Sequence, residues 1–173
     1  GALAGGVALA GPVLDRLVAR AERRHNPVHD QGPYAPDARA AALHATLDVV
    51  DLHADSLLWG RDLLERGRRG HLDVPRMQEG RLALQVFSAA VKSPRNLNLE
   101  RNDDRSDNVT LLAVANRWPQ RTWRSLLARA LHFAERLDGF AARSGGALRV
   151  VRGRADLAAF RADRAAGAGS GAG

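Results

Sequence analysis

Two runs in the chain read as core strands, and that number limits what it can build. The first, residues 47–53, is Leu47-Asp48-Val49-Val50-Asp51-Leu52-His53, β-branched at its centre and ended by polar residues. The second, residues 82–88, is Leu82-Ala83-Leu84-Gln85-Val86-Phe87-Ser88, nearly all apolar, as a parallel strand covered on both faces should be. A parallel pair by itself leaves both edges open and buries little. The strand–crossover–strand–helix order is nevertheless the opening of an α/β domain. A (β/α)8 barrel takes at least about 200 residues, and the chain has 173. The expected fold class is therefore α/β, an incomplete TIM (β/α)8 barrel with only its first strands and crossover helices present.

The remaining segments fit around those strands. Gly1 to Leu14 carries no charge, and the first charged residue is Asp15. Fourteen residues fall short of the roughly 20 that span a bilayer, so residues 1–24 are expected to be the end of an apolar anchor or signal segment running into a short basic helix, residues 15–24. Residues 25–46 form a connector with Asn26-Pro27, Gly32-Pro33 and Ala35-Pro36, followed by a short helix over 37–46. The barrel portion covers 47–166, and residues 167–173 are a Gly/Ala tail without side chains able to pack. Within the barrel portion, Pro75 suits the first turn of a short helix that Gly80 stops. Residues 92–107 read as a loop and 108–117 as a helix. Thr122 is expected to cap a longer helix reaching Arg143, with Trp123, Leu126, Leu127, Ala130, Leu131, Ala134, Leu137 and Ala141 as its apolar stripe. Gly145-Gly146 ends it, residues 148–151 are an extended piece, and residues 155–164 form a last helix.

Composition excludes several chemistries. The chain has no cysteine, which removes disulfides, thiolate metal sites and thiol nucleophiles. Hydrophobic residues make up 45% and charged residues 26%, the balance of a globular domain. The net charge of +7 points toward nucleic acid only superficially, because Lys92 is the single lysine and the arginines are interspersed with carboxylates. No nucleic-acid partner is expected. Arg149, Arg152, Arg154, Arg161 and Arg164 read as a solvated face. There is no glycine-rich phosphate loop and no Gly-x-Ser-x-Gly elbow.

One cluster carries chemistry. Asp51, His53 and Asp55 alternate at the end of the first strand, so all three can project from one face. An imidazole nitrogen and a carboxylate oxygen two residues apart can approach one zinc from the same side. Asp51 can orient His53 from behind or hold the strand end, and a histidine between two capping carboxylates is the plain structural reading. Catalytic zinc normally takes three protein ligands and an open water position. His25, His29, His44, His71 and His132 offer no persuasive third ligand, although His71 precedes Asp73 in a second His-x-Asp. His132 is expected on the flank of its helix. No residue is assigned a catalytic role.

The strings are more specific than the chemistry. Val50-Asp51-Leu52-His53-Ala54-Asp55-Ser56-Leu57, Gly70-His71-Leu72-Asp73-Val74-Pro75-Arg76-Met77-Gln78-Glu79-Gly80 and Ala83-Leu84-Gln85-Val86-Phe87-Ser88 resemble, in order and separation, the start of the membrane dipeptidase (renal dipeptidase) family. Asn98-Leu99-Glu100-Arg101-Asn102-Asp103 with Ser106-Asp107-Asn108, and Ala141-Ala142-Arg143-Ser144-Gly145-Gly146, resemble its bacterial, membrane-anchored branch. The resemblance covers about Tyr34 to Ala159. It implies a zinc-dependent (β/α)8 barrel that hydrolyses dipeptides, with His53 and Asp55 as ligands of one of two zinc ions. It also implies a bridging glutamate soon after Arg164, two later histidines for the second zinc, a substrate histidine and a late aspartate. The Gly/Ala tail stands where that glutamate is expected, so this chain is expected to be the inactive amino-terminal part of such an enzyme. The implied partners are a dipeptide substrate and, through the amino-terminal segment, a membrane; a homodimer is compatible. The implied localisation is bacterial, membrane-associated or exported. Two other readings stand beside it: another binuclear amidohydrolase-like enzyme acting on cyclic amides or lactams, and a small basic interaction or nucleic-acid-binding protein.

Overall fold

Six helices and two strands follow one another in a computed structural model that describes residues 2–29 and 32–166. The order is α1 (Ala2–His25), α2 (Ala38–Ala45), β1 (Val49–Ala54), α3 (Val74–Glu79), β2 (Leu82–Phe87), α4 (Asn108–Ala115), α5 (Leu126–Arg143) and α6 (Arg154–Ala165). Short 3-10 turns occupy Ser56–Leu58 and Gln120–Trp123. The expected tail, 167–173, lies outside the described residues.

Local chemistry sets most helix ends. The carboxylates of Asp37, Asp73 and Asp107 each accept a backbone N–H from the first turn of α2, α3 and α4. Pro75 sits in the first turn of α3, where its missing N–H costs nothing, and Gly80 closes the helix. After α5 the chain turns through Gly145 and Gly146 at φ 61° and 91°, a region that side chains with a Cβ resist.

Thr122 does not cap the long helix. It lies in the preceding 3-10 turn, fully buried, with its hydroxyl donating to the Pro119 carbonyl at 2.7 Å. Ser125 is the cap instead, its Oγ accepting from the Ala128 N–H at 3.1 Å. The expected apolar stripe is corrected in part: Trp123 and Leu137 pack against the core, but other members do not. Leu126, Leu127 and Leu131 are exposed, whereas Arg129, Phe133 and Phe140 face the interior. Spacings of four and seven residues fit either face of a helix, and the core selected the one with the aromatic rings.

β1 and β2 form a two-stranded parallel sheet, pairing Val49 with Leu82, Val50 with Leu84, Asp51 with Gln85 and Ala54 with Phe87. Between Asp51 and Ala54 the first strand advances one residue more than the second, an irregularity centred on Leu52 and His53. The main core lies beside the sheet rather than on it. Leu57, Leu63, Val74, Val109, Ala113, Trp118, Phe133, Phe140 and Leu148 form one buried cluster. β1 contributes nothing to it, and Val50, Leu52 and Val86 are exposed.

One buried and several partly buried arginines tie the layers together. Arg129 is 1% exposed and donates to the carbonyls of Thr122, Trp123 and Val91, to Asp107 Oδ2 at 2.5 Å and to Thr110 Oγ1. Arg136 donates to the carbonyls of Leu57, Trp59 and Arg61, joining α5 to the loop after β1. The buried Glu22 of α1 lies 2.8 Å from Arg61 Nε and 3.1 Å from Arg69 Nε, which docks the amino-terminal helix.

Candidate functional site

The irregular register places His53 and Asp55 at the carboxyl end of β1, the end of a parallel sheet where α/β proteins bind ligands. His53 is the fifth residue of the strand, and Asp55 leads from it into the 3-10 turn. Where the ladder slips, the His53 N–H donates to Asp51 Oδ1 at 3.1 Å. Asp51 thus accepts a backbone hydrogen bond next to the register shift.

His53 Nε2 lies 3.3 Å from Asp55 Oδ2. Both side chains are open to solvent, 70% and 46% exposed. Two donor atoms on one tetrahedral zinc, each about 2.0–2.1 Å from the metal, are separated by about 3.3 Å. A hydrogen bond between imidazole and carboxylate gives the same separation, so the distance matches both arrangements. Among the described residues no group of three histidine or carboxylate side chains converges on a point. The pair thus offers two donor atoms, where a zinc site normally takes at least three protein ligands.

Ser88, just after β2, completes the local network. Its hydroxyl donates to Asp55 Oδ1, and its N–H donates to the Ala54 carbonyl at 2.9 Å. The two oxygens of Asp55 therefore have different tasks: Oδ1 is held by Ser88, and Oδ2 faces His53. Sequence reading assigned Ser88 no role. Its position as the polar residue ending an apolar parallel strand was the available signal, because the ends of neighbouring parallel strands meet. Behind this end, Gln85 is 6% exposed and its Nε2 donates to the carbonyls of Val86 at 3.0 Å and Asp51 at 3.5 Å.

The other histidines go elsewhere. His71 Nε2 lies 3.1 Å from the Pro27 carbonyl and ties a loop to the connector. Asp73, its partner in the second His-x-Asp, is spent on Arg76 and on the α3 cap. His25 stacks on Trp59 with ring centres 6.4 Å apart, and His44 lies in the last turn of α2. His132 packs against Trp118 at 5.2 Å, half-buried on the flank of α5 as expected. Burial, then the nearby Arg136, lowers its imidazole pKa below the ordinary value.

The carboxyl-terminal arginines form surface pairs: Arg149 with Asp163, Arg152 with Asp138, and Arg164 with Asp48. A groove of about 360 Å³ runs between α1 and the body, and another of about 270 Å³ runs beside β2. Neither is lined by His53 or Asp55. No described helix is long and apolar enough to cross a membrane.

No family model, curated protein or solved structure matches the chain.

Proposed function

We propose that this chain is the amino-terminal part of a zinc-dependent dipeptidase of the barrel type, with His53 and Asp55 as two ligands of its first metal, and that it is inactive by itself. One observation carries the reading: an imidazole nitrogen and a carboxylate oxygen stand 3.3 Å apart, exposed, at the carboxyl end of a parallel strand. A zinc ion held there would supply Lewis-acid chemistry, activating a water and polarising a carbonyl. This chain's residues would hold one side of that metal: His53 and Asp55 would offer the donor atoms, while Asp51 accepts the His53 N–H and the Ser88 hydroxyl donates to the Asp55 carboxylate.

Open edges on both sides of a two-stranded sheet, with Leu52 73% exposed, support a larger sheet in the parent protein. Further strands would cover Val50, Leu52 and Val86 and bring the missing ligands. The substrate class is the dipeptide, and the amino-terminal helix associates the parent with a membrane.

The test has two parts. Purified as it stands, the chain should show no zinc-dependent dipeptide hydrolysis and only weak zinc affinity, lost in His53→Ala and Asp55→Ala. The reading frame continued past Gly173 in the source DNA should encode a strand ending in Glu-Gly and later histidines, and the longer product should hydrolyse dipeptides. Robust hydrolysis by the 173-residue chain, or a longer product whose activity survives both substitutions, overturns the proposal.

A further inference from the structure

α1 has two faces of opposite character. Successive residues turn by about 100° around a helix, which sets Val13, Arg16, Leu17, Arg20, Arg23 and Arg24 within an arc of about 120°. All six are exposed, Val13 by 53% and Leu17 by 56%. Glu22 lies on the opposite side, buried against Arg61 and Arg69, and Asp15, at the edge of the docked face, pairs with Arg117 of the body at 2.8 Å. Docking on the body therefore uses both acidic residues of this helix and turns its arginines outward.

Those four arginines have no ion pair or hydrogen-bonded side-chain partner among the described residues. Arg149, Arg152 and Arg164, by contrast, are each matched to an aspartate. Four unmatched cations with exposed Val13 and Leu17 on the same arc make a basic, partly apolar surface of the kind that an anionic bilayer attracts. The sequence leading into this face, Gly1 to Leu14, is uncharged.

We propose that the outward face of α1 binds the surface of a bilayer rich in anionic lipid, with Arg16, Arg20, Arg23 and Arg24 on the headgroups and Val13 and Leu17 in the acyl boundary. This rests on the membrane-association part of the proposed function and specifies its face and lipid; it is independent of the peptidase reading. Charge complementarity selects the occupant. Cations alone would serve a nucleic acid equally well, but exposed Val13 and Leu17 on the same arc gain only from an apolar boundary. The helix lies on the bilayer with the body docked to its other side.

Flotation of the 173-residue chain with vesicles tests the proposal. Each arginine near an anionic surface is worth a factor of about five in binding. Vesicles of mixed phosphatidylglycerol and phosphatidylcholine should therefore bind the chain roughly 600-fold more tightly than phosphatidylcholine alone, and high salt should reduce the difference. Replacing Arg16, Arg20, Arg23 and Arg24 together by Gln should remove that preference. V13S/L17S should weaken binding about tenfold. Arg101→Gln with Arg105→Gln, on an exposed loop, should change nothing. All these substitutions are on exposed positions, and unchanged far-UV circular dichroism verifies folding.

Equal binding to both vesicle types, unaffected by the arginine changes, overturns the proposed face while leaving membrane association through the apolar terminus intact. No binding to any vesicle overturns both. Tighter binding to a DNA duplex than to anionic vesicles, with V13S/L17S without effect, overturns the proposal in favour of a nucleic-acid surface.

Discussion

The two sides of the molecule handle polar groups in opposite ways. On the helical side, Arg129 is buried and matched to five acceptors, and the carboxylate of Asp107 takes hydrogen bonds from Arg129, Thr110, Ser93 and Val109. On the strand side, His53 and Asp55 stand in solvent with one contact between them and one to Ser88. Buried polar groups that are fully partnered specify a unique packing, because any alternative leaves one of them unsatisfied. Exposed groups at a strand end contribute little to stability and remain available for a ligand. The buried network that stabilises the fold and the proposed metal ligands therefore lie in separate regions and can be perturbed separately.

The largest expected effect lies at Arg129. Arg129→Met leaves Asp107 and three carbonyls without their donor and should cost about 3–5 kcal/mol in chemical denaturation. A loss below about 1 kcal/mol would break the comparison at its strongest point. Phe133, 1% exposed and edge-on to Trp118 at 5.2 Å, comes next. Phe133→Ala should cost about 3–4 kcal/mol, read from the tryptophan fluorescence midpoint.

Acid sharpens the contrast further. Burial raises the Asp107 pKa, but hydrogen bonds from Arg129, Thr110, Ser93 and Val109 outweigh it, so the carboxyl is held below its ordinary range. The unfolded chain then binds the proton more readily. The contribution of Asp107 is complete above its ordinary pKa of about 3.9 and is lost as pH falls through the lower folded value. Asp107→Asn should flatten the stability profile in that acidic window, measured by unfolding at a series of pH values. An unchanged acid profile would contradict the assignment.

The smallest effects are expected on the strand side. Asp51→Ala removes the acceptor of the His53 N–H and should cost about 0.5–1 kcal/mol while weakening zinc binding. His53→Ala and Asp55→Ala should change stability by no more than about 0.5 kcal/mol, because both groups are solvent-exposed. Destabilisation by either as large as that of Phe133→Ala would mean that the strand end is part of the structural core after all.

Features that depend on neighbouring residues were legible in advance. The two strands, the short helix opened by Asp73 and Pro75 and closed by Gly80, and the glycine turn after α5 were all readable, since caps, turns and apolar runs act over a few residues. The His53–Asp55 pair was legible for the same reason: two residues along a strand return to one face. The buried face of α5 was not. Its leucines at 126, 127 and 131 are apolar too, but Arg129 finds its acceptors on α4 and the turn before α5, and Phe133 packs on Trp118.

Sequence alone thus determined the strand identities, most of the helix ends and the chemical character of the strand tip. Tertiary structure alone decided that Arg129 is interior, that Ser88 holds Asp55, and that α1 turns its arginines outward. The physical reason is the range of the interactions involved. Val91, Asp107 and Thr110 lie 19 to 38 residues before Arg129, and Asp55 lies 33 residues before Ser88. A guanidinium can be buried only once distant acceptors have been folded around it.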